Sequence, residues 1–231
     1  MPELVLVDRA ERDDLGAFVA RAVRLDPQAV VRLRNRPAGD VPVGGSGDDG
    51  SAGGPGGDGP VGGLVDAWVA TPFDTLATRT VAGQVTPGDL TVSATDLLTG
   101  LAVVRSEVVD PGPARDMMWR SALPPTAGWL PVDRLPGSVV SELAEKGVAV
   151  ARENAGPRGT PPASLLDQTV ITVSGSGLDV KVPMRCLFAL SGMGFLGGDD
   201  VRVTATDSWL RIDARFGAVV RRRHSMLPLL V

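Results

Sequence analysis

The chain has 231 residues, 43% of them apolar, so it is long enough to bury a hydrophobic core and too apolar to be disordered throughout. Its basic residues are 21 Arg and 2 Lys beside 27 acidic residues, and this bias makes arginine abundance weak support for phosphate binding. The single cysteine, Cys186, excludes an internal disulfide framework and a cysteine-clustered zinc site, and it indicates a reducing cytoplasm.

The N-terminal region predicts a strand over residues 3–7 and an amphipathic helix over residues 13–25. The apolar stripe of this helix consists of Leu15, Phe18, Val19, Ala22 and Val23. Asp13 and Asp14 are placed at its start, and Asp26-Pro27 should end it because a residue before proline avoids the α region. Three more strands are predicted, at residues 29–34, 64–73 and 75–83.

Residues 38–63 predict a flexible loop. They hold 12 of the 29 glycines, four aspartates and no basic residue, a composition that cannot recover its ordering entropy by burial. Without those four aspartates the acidic and basic residues of the chain balance. The folded part therefore has no net charge to attract nucleic acid.

The middle of the chain is less regular. Residues 89–109 predict a strand, a helical turn and a strand, and residues 111–137 are broken by prolines. A helix is predicted from Ser138, as N-cap, to Lys146. Residues 139–152 would alternatively form the helix, turn and strand of a winged helix, which is disfavoured because its glutamates would face phosphates.

The last third predicts two strands around the turn at residues 174–177, then a helix from Pro183 to about Leu196 with Cys186 on its apolar side. Strands follow at residues 201–205, 209–216 and 218–223. In the second of these, apolar and charged residues alternate, the period of a strand with one face in water.

Both ends of the chain thus contain a strand, a helix and three strands. We expect an α+β fold of mostly antiparallel sheet with a few covering helices, possibly as two pseudo-repeated β-α-β-β-β halves joined edge to edge. This order resembles that of processivity-clamp domains, although no clamp signature is present in the sequence. The predicted divisions are residues 1–110, a Pro/Trp/Met-rich connecting segment at 111–164, and residues 165–231, together forming one compact unit.

The stretch AVVRRRH, residues 218–224, places three arginines beside the only histidine. One interpretation is a phosphate-contact ridge consisting of Arg202, Arg211, Arg215, Arg221, Arg222 and Arg223. The favoured interpretation is an edge strand whose charge resists aggregation, followed by a tail. A second basic group, Arg32, Arg34 and Arg36, would strengthen the field if the two strands were adjacent.

The connecting segment supplies the candidate protein-contact residues Met117, Met118, Trp119, Trp129 and Leu130. Methionine and tryptophan on an irregular surface can mark a partner-binding patch. The favoured interpretation of these residues is that the segment lies across the core and that their side chains anchor it.

No catalytic constellation stands out in the sequence. His224 lies in a tail rather than in a packed triad, and the pairs Asp13-Asp14 and Asp199-Asp200 are explained by helix and turn positions. The glycine-rich segments 174–177 and 191–198 do not connect a strand to a helix start, as a phosphate loop must.

The sequence therefore predicts a non-enzymatic cytoplasmic protein, an adaptor or regulatory subunit, that binds an unidentified protein partner without cofactor, metal or membrane. No run approaches the roughly 18 apolar residues of a membrane helix. One alternative is a nucleic-acid-binding protein that uses its arginine-rich strands. Another is a small-molecule-binding protein or enzyme with a pocket that the sequence does not reveal.

Overall fold

The computed structural model describes residues 1–37, 63–103, 107–154 and 161–223. The predicted flexible loop, apart from Gly63, and the tail containing His224 lie outside these residues. None of the helices in the described ranges is long and apolar enough to cross a membrane.

The fold of the described residues is α+β, as predicted. The helices are α1 (Arg9–Leu25), α2 (Ala94–Val103), α3 (Gly137–Glu153), α4 (Ala163–Leu166) and α5 (Met184–Gly192), with a 3-10 turn at Asp116–Met118. The strands are β1 (Glu3–Leu6), β2 (Val30–Asn35), β3 (Leu64–Thr71), β4 (Thr75–Thr86), β5 (Asp89–Ser93), β6 (Val108–Val109), β7 (Leu130–Leu135), β8 (Thr169–Gly175), β9 (Leu178–Pro183), β10 (Val201–Ala205), β11 (Trp209–Ala214) and β12 (Gly217–Arg222).

A single antiparallel path of eight strands forms the body of the structure, in the order β5-β2-β3-β4-β12-β11-β10-β7. Strand β1 pairs with β4 and β6, while β8 and β9 form a separate hairpin. The predicted pseudo-repeat is confirmed: β1-α1-β2-β3-β4 and β9-α5-β10-β11-β12 each place a helix before a three-stranded meander. The two meanders join edge to edge, where Val219 of β12 pairs with Ala77 of β4.

The helices cover one face of this sheet and share one hydrophobic core. Helix α1 packs beside α2, and α3 packs beside α5. Phe18 of α1 stacks on Phe195, which follows α5, with ring centroids 6.2 Å apart. The core therefore crosses the join between the two halves.

The prediction furthest from the structure concerns β12, the strand that carries Arg221 and Arg222. It was predicted to lie at a sheet edge, but it is central and pairs with both β11 and β4. Its pairing with β4 joins segments about 140 residues apart, and no local pattern reveals such a contact.

Helix boundaries supply the other corrections. Helix α1 begins before Asp13, because the Asp8 carboxylate accepts a hydrogen bond from the Glu11 amide at 2.9 Å and caps the helix. Helix α5 ends at Gly192 rather than near Leu196. There the chain turns at Gly194, with φ of 59°, and the Phe195 amide donates to the Leu190 carbonyl.

Helix α3 is longer than predicted, and Ser138 is not its N-cap: Pro136 holds that position without a side-chain cap. The helix passes through Gly147, where an added Cβ would lie 2.4 Å from Met184 Sδ. The glycine therefore allows α3 to pack closely on α5. Residues 139–152 form one continuous helix, so the winged-helix alternative is wrong.

Candidate interaction surface

The outer face of the sheet, opposite the helices, carries an unusual aromatic cluster. Trp68 of β3 and Trp209 of β11 point outward and, with Leu76 and Val220, form a second hydrophobic cluster separate from the main core. Alternation along the strands causes this placement, because Ala67, Val69 and Leu210, the strand neighbours of the two tryptophans, belong to the main core.

The segment of residues 119–129, here named the strap, crosses this outer face. Trp119, Leu123 and Trp129 pack on the aromatic cluster, so all four tryptophans of the chain meet there. The indole N–H of Trp119 donates to the Ser121 carbonyl and that of Trp129 to the Pro125 carbonyl, at 3.0 Å for the second bond. These bonds lie within the strap and fix its shape, and the packing of Trp119 and Trp129 on the aromatic cluster holds it against the sheet.

The other three candidate contact residues point into solvent. Met117 and Met118 are 91% and 57% exposed on the 3-10 turn before the strap, and Leu130, which follows it, is 44% exposed. The turn is fixed to strand β5: the Asp116 carboxylate accepts from the Thr91 amide at 2.8 Å, and the Arg115 amide donates to the Thr91 carbonyl at 2.7 Å. The methionines are therefore presented on an ordered backbone.

Two cavities flank the strap. One, of about 350 Å³, lies between the two halves of the sheet and is lined by Arg34, Trp68, Trp129, Thr204, Arg211 and Asp213, among others. The second, of about 430 Å³, lies at the end of β12 beside the β3–β4 turn. Both cavities open on the face that carries the tryptophans.

The six candidate phosphate-contact arginines do not share one surface. Arg211 pairs with Asp213 at 2.7 Å, and Arg215 pairs with Asp199 at 2.9 Å. Arg221 points towards the helices, where its Nη2 lies 3.6 Å from Asp74 and 3.9 Å from Asp167.

The other three candidate arginines each have different contacts. Arg222 lies over the Trp209 ring at 5.2 Å, and Arg223 donates to the backbone carbonyls of Thr206 and Asp179. Arg202 pairs in register with Asp213 on the outer face.

The second arginine group lies on β2 and at its end, and two strands separate β2 from β12. Arg32 and Arg34 share Asp89, at 2.7 and 3.8 Å, and the hydrogen bonds that Arg32 donates to the Asp89 carboxylate raise the pKa of Arg32 above its usual value. Arg36 is paired with Asp66. Because β3 and β4 separate the two groups, they do not form the combined field considered from the sequence.

The face of the sheet that the helices cover does not provide a basic surface for phosphate binding either. Helices α1, α2 and α3 carry nearly equal numbers of acidic and basic side chains, so this face lacks the excess positive charge that phosphate backbones require. Within the described ranges, no three His, Cys, Asp or Glu side chains converge as metal ligands.

Residues 1–121 match the family model described as "Domain of unknown function (DUF8010)", a match that spans more than half of the chain. The chain belongs to this family. Residues 124–226 match a second model, "Domain of unknown function (DUF8185)". No curated protein sequence matches the chain.

Solved structures of sliding clamps resemble the chain along nearly its whole length. The DnaN sliding clamp (DNA polymerase III subunit beta) from Bartonella birtlesii has a TM-score of 0.53 at 11% identity, with 98% of this chain covered. The C. crescentus beta sliding clamp has a TM-score of 0.54 at 13% identity, with 99% covered. The DNA polymerase III beta subunit from Thermotoga maritima has a TM-score of 0.51 at 10% identity, also with 99% covered.

The chain spans 66% of the length of each of these clamps. The resemblance to processivity-clamp domains predicted from the order of elements is therefore a likeness of fold, and at these identities it establishes the fold alone.

Sequence reasoning missed Trp68 and Trp209 as part of this surface. The signal was present in β11, where Trp209 has the same parity as Arg211 and Asp213 on the face assigned to water. A tryptophan on a polar strand face indicates that something covers it, and here the strap does.

Proposed function

We propose that this chain is a non-enzymatic cytoplasmic scaffold, an adaptor or regulatory subunit, which binds a protein partner through the outer face of its sheet. The observation that carries this proposal is the pair Met117 and Met118, exposed on a turn that is hydrogen-bonded to β5 and adjoins the tryptophan cluster. Methionine, tryptophan and arginine are enriched in protein interfaces, and an ordered backbone lowers the entropic cost of binding.

Two further features support the proposal. The chain has the fold of proteins named as subunits of DNA polymerase III, which act within an assembly. Cys186 is a free, buried thiol, which suits a reducing compartment such as the cytoplasm.

The test compares the full-length chain with a Met117→Ser/Met118→Ser variant. Both side chains are exposed, so the variant should fold normally. The matched control is Val139→Ser/Val150→Ser, which removes two exposed apolar side chains from α3 on the helical face. Proteins captured from cells of the source organism are identified by mass spectrometry, purified and titrated against all three forms.

We expect a partner that binds the wild type and the control equally and the methionine variant at least about thirtyfold more weakly, since each of the two removed apolar contacts contributes about 1 kcal/mol or more. A purified partner that binds the methionine variant as tightly as the wild type would exclude this surface. Failure to recover any saturable partner would count against the scaffold function itself.

A second candidate function, single-stranded nucleic-acid binding, is favoured by the arginines that lie over tryptophans on the outer face. Arg32 lies 5.8 Å from the Trp119 ring and Arg222 lies 5.2 Å from the Trp209 ring. Aromatic side chains with arginines are the usual platform for unpaired bases.

A salt titration of binding to mixed-sequence single-stranded and duplex DNA tests this candidate. The variants are Arg221→Ala/Arg222→Ala/Arg223→Ala and the milder Arg34→Gln/Arg222→Gln. If the arginines contact phosphates, affinity falls steeply with salt and the slope is smaller in both variants. Binding that is absent at low salt, or indifferent to both variants, removes this candidate.

A further inference from the structure

Three of the residues that line the cavity at the end of β12 are arginines. It lies where the β3–β4 turn, the last residues of β12 and the start of the strap meet. We name it the arginine cavity; the lining residues that concern its charge and shape are Thr71, Asp74, Arg120, Trp209, Arg221 and Arg222.

The arginine cavity has an excess of positive charge. Arg120, Arg221 and Arg222 are among its lining residues, and Asp74 is the one acidic residue there. Because the guanidinium of Arg221 points towards the helices, Arg120 and Arg222 supply the charge available to a ligand on the outer face. The Asp74 carboxylate is shared, because it lies 3.3 Å from Arg185 and 3.6 Å from Arg221. Within the described part of the chain, Arg120 and Arg222 have no carboxylate within ion-pair distance, so the cavity can accept an anion without breaking an existing pair.

The arginines are held in place by their surroundings. Arg222 lies over the Trp209 ring, and Arg221 is only 17% exposed, with Nη1 directed at the Arg222 carbonyl at 3.4 Å. The Nε of Arg221 is buried without a hydrogen-bond partner in the described residues. Behind them, Arg185 donates to the Phe73 carbonyl at 3.0 Å and fixes the β3–β4 turn.

We propose that the arginine cavity binds a phosphomonoester dianion. A phosphate monoester carries about −1.5 to −2 charges near neutral pH, which matches the excess charge of the cavity. Guanidinium groups bind phosphate oxygens through paired, charge-assisted hydrogen bonds. The sequence pointed to Arg221 and Arg222 as phosphate contacts, but Arg120 is brought to them only by the path of the strap.

This proposal is independent of the protein-contact function, because it uses none of the methionines assigned to the partner. Loss of phosphate binding would leave the Met117 and Met118 surface intact, and loss of the partner would leave the arginine cavity intact. The two proposals therefore fail separately.

The test uses the full-length chain, with calorimetric titration of inorganic phosphate, adenosine 5′-monophosphate and adenosine at low ionic strength. Variants Arg120→Gln and Arg222→Gln each remove one guanidinium from an exposed position. The matched control is Arg24→Gln, an exposed arginine on α1 far along the chain from the cavity.

We expect the two phosphate-bearing probes to bind and adenosine not to bind. Each cavity variant should weaken binding about tenfold, the size of one charge-assisted contact, while the control leaves it unchanged. For the nucleotide, binding should weaken at pH 5, because the second phosphate pKa is about 6. Equal binding of adenosine, no binding of either phosphate probe, or binding indifferent to both cavity variants would overturn the proposal.

A further arm identifies the source of the phosphate. A single-stranded oligonucleotide is compared with and without a 5′-phosphate, in wild type and Arg120→Gln. A preference for the phosphorylated strand that is lost in the variant supports the proposal and assigns a strand end. Nucleotide binding without that preference also supports it and assigns a free phosphomonoester.

Discussion

Arg36 of the outer face lies 2.6 Å from Asp66 of β3, and the two side chains are only 12% and 17% exposed. The pair is bidentate, with a second bond of 3.2 Å from Arg36 Nε. The Thr80 hydroxyl donates to Asp66 at 2.6 Å and accepts from Arg36 at 2.9 Å, so the three side chains form a closed network.

We predict that Asp66→Ala lowers the free energy of unfolding by about 2–3 kcal/mol, because it leaves the Arg36 charge largely buried and unpaired. The control is Asp13→Ala, which removes an exposed pair with Arg9 at 3.4 Å and should cost about 0.5 kcal/mol or less. Urea unfolding of the three proteins measures both values. Equal losses in the two variants would show that the Arg36 network contributes no more to stability than an exposed ion pair.

The close packing of α3 on α5 predicts opposite effects for two glycine-to-alanine changes. At Gly147 an added Cβ would lie 2.4 Å from Met184 Sδ and 2.9 Å from Phe188 Cε1, so Gly147→Ala should destabilise by about 1–3 kcal/mol. At Gly16 in α1 nothing lies within 4 Å of the added Cβ, so Gly16→Ala should stabilise by about 0.5–1 kcal/mol. The same sign of change at both positions, measured by thermal or urea unfolding, would contradict this account of the helix contact.

Cys186 gives a prediction for alkaline pH. Burial raises the pKa of its thiol from 9.0 to about 12 in the folded chain. Above pH 9 the unfolded state therefore releases a proton that the folded state retains, and the free energy of unfolding falls by about 1.4 kcal/mol per pH unit until about pH 12. The chain has no tyrosine and only two lysines, so few other groups titrate in this range.

The measurement is urea unfolding of wild type and Cys186→Ala between pH 8 and pH 11. The free energy of unfolding of the wild type should fall as the pH rises. That of Cys186→Ala should fall less, because the variant has no thiol to titrate. In the folded wild type, the thiol should also react with a thiol reagent at pH 8 only as fast as the protein opens. Rapid reaction of the folded chain would show that Cys186 is accessible.

The sequence was sufficient to predict those strands and helices whose hydrophobic pattern arises within a single element. Alternation in β11 and the stripe from Leu15 to Ala22 in α1 identified a strand and a helix, because their periods of 2 and 3.6 arise within one element. The similar order of elements at the two ends was sufficient to predict the paired halves.

The remaining features depend on contacts between distant segments. Pairing of Val219 with Ala77 made β12 central, and contact with Met184 explains why α3 continues through Gly147. The candidate surface shows the same limit. Trp119 and Trp129 were identified from their irregular segment, but Trp68 and Arg120 belong to the surface only because the strap crosses the sheet.

The join between the halves leads to a prediction about the divisions expected from the sequence. We propose that the divisions 1–110, 111–164 and 165–231 unfold as one cooperative unit. Val219 pairs with Ala77 across the join, and Phe18 stacks on Phe195 between the helical layers. Opening one half would therefore expose apolar surface on the other, a cost that favours a single transition.

Two variants each keep one tryptophan: Trp68→Phe/Trp119→Phe/Trp129→Phe leaves only Trp209, in the second half, and Trp119→Phe/Trp129→Phe/Trp209→Phe leaves only Trp68, in the first. Urea transitions followed by tryptophan fluorescence in both variants, and by far-UV circular dichroism, should have coincident midpoints after allowance for each variant's own stability. A fluorescence midpoint that departs from the dichroism midpoint within the same variant would mean that one half unfolds first. The β4–β12 join would then be a contact between two independent units, and the scaffold would be able to change the angle between its halves when a partner binds.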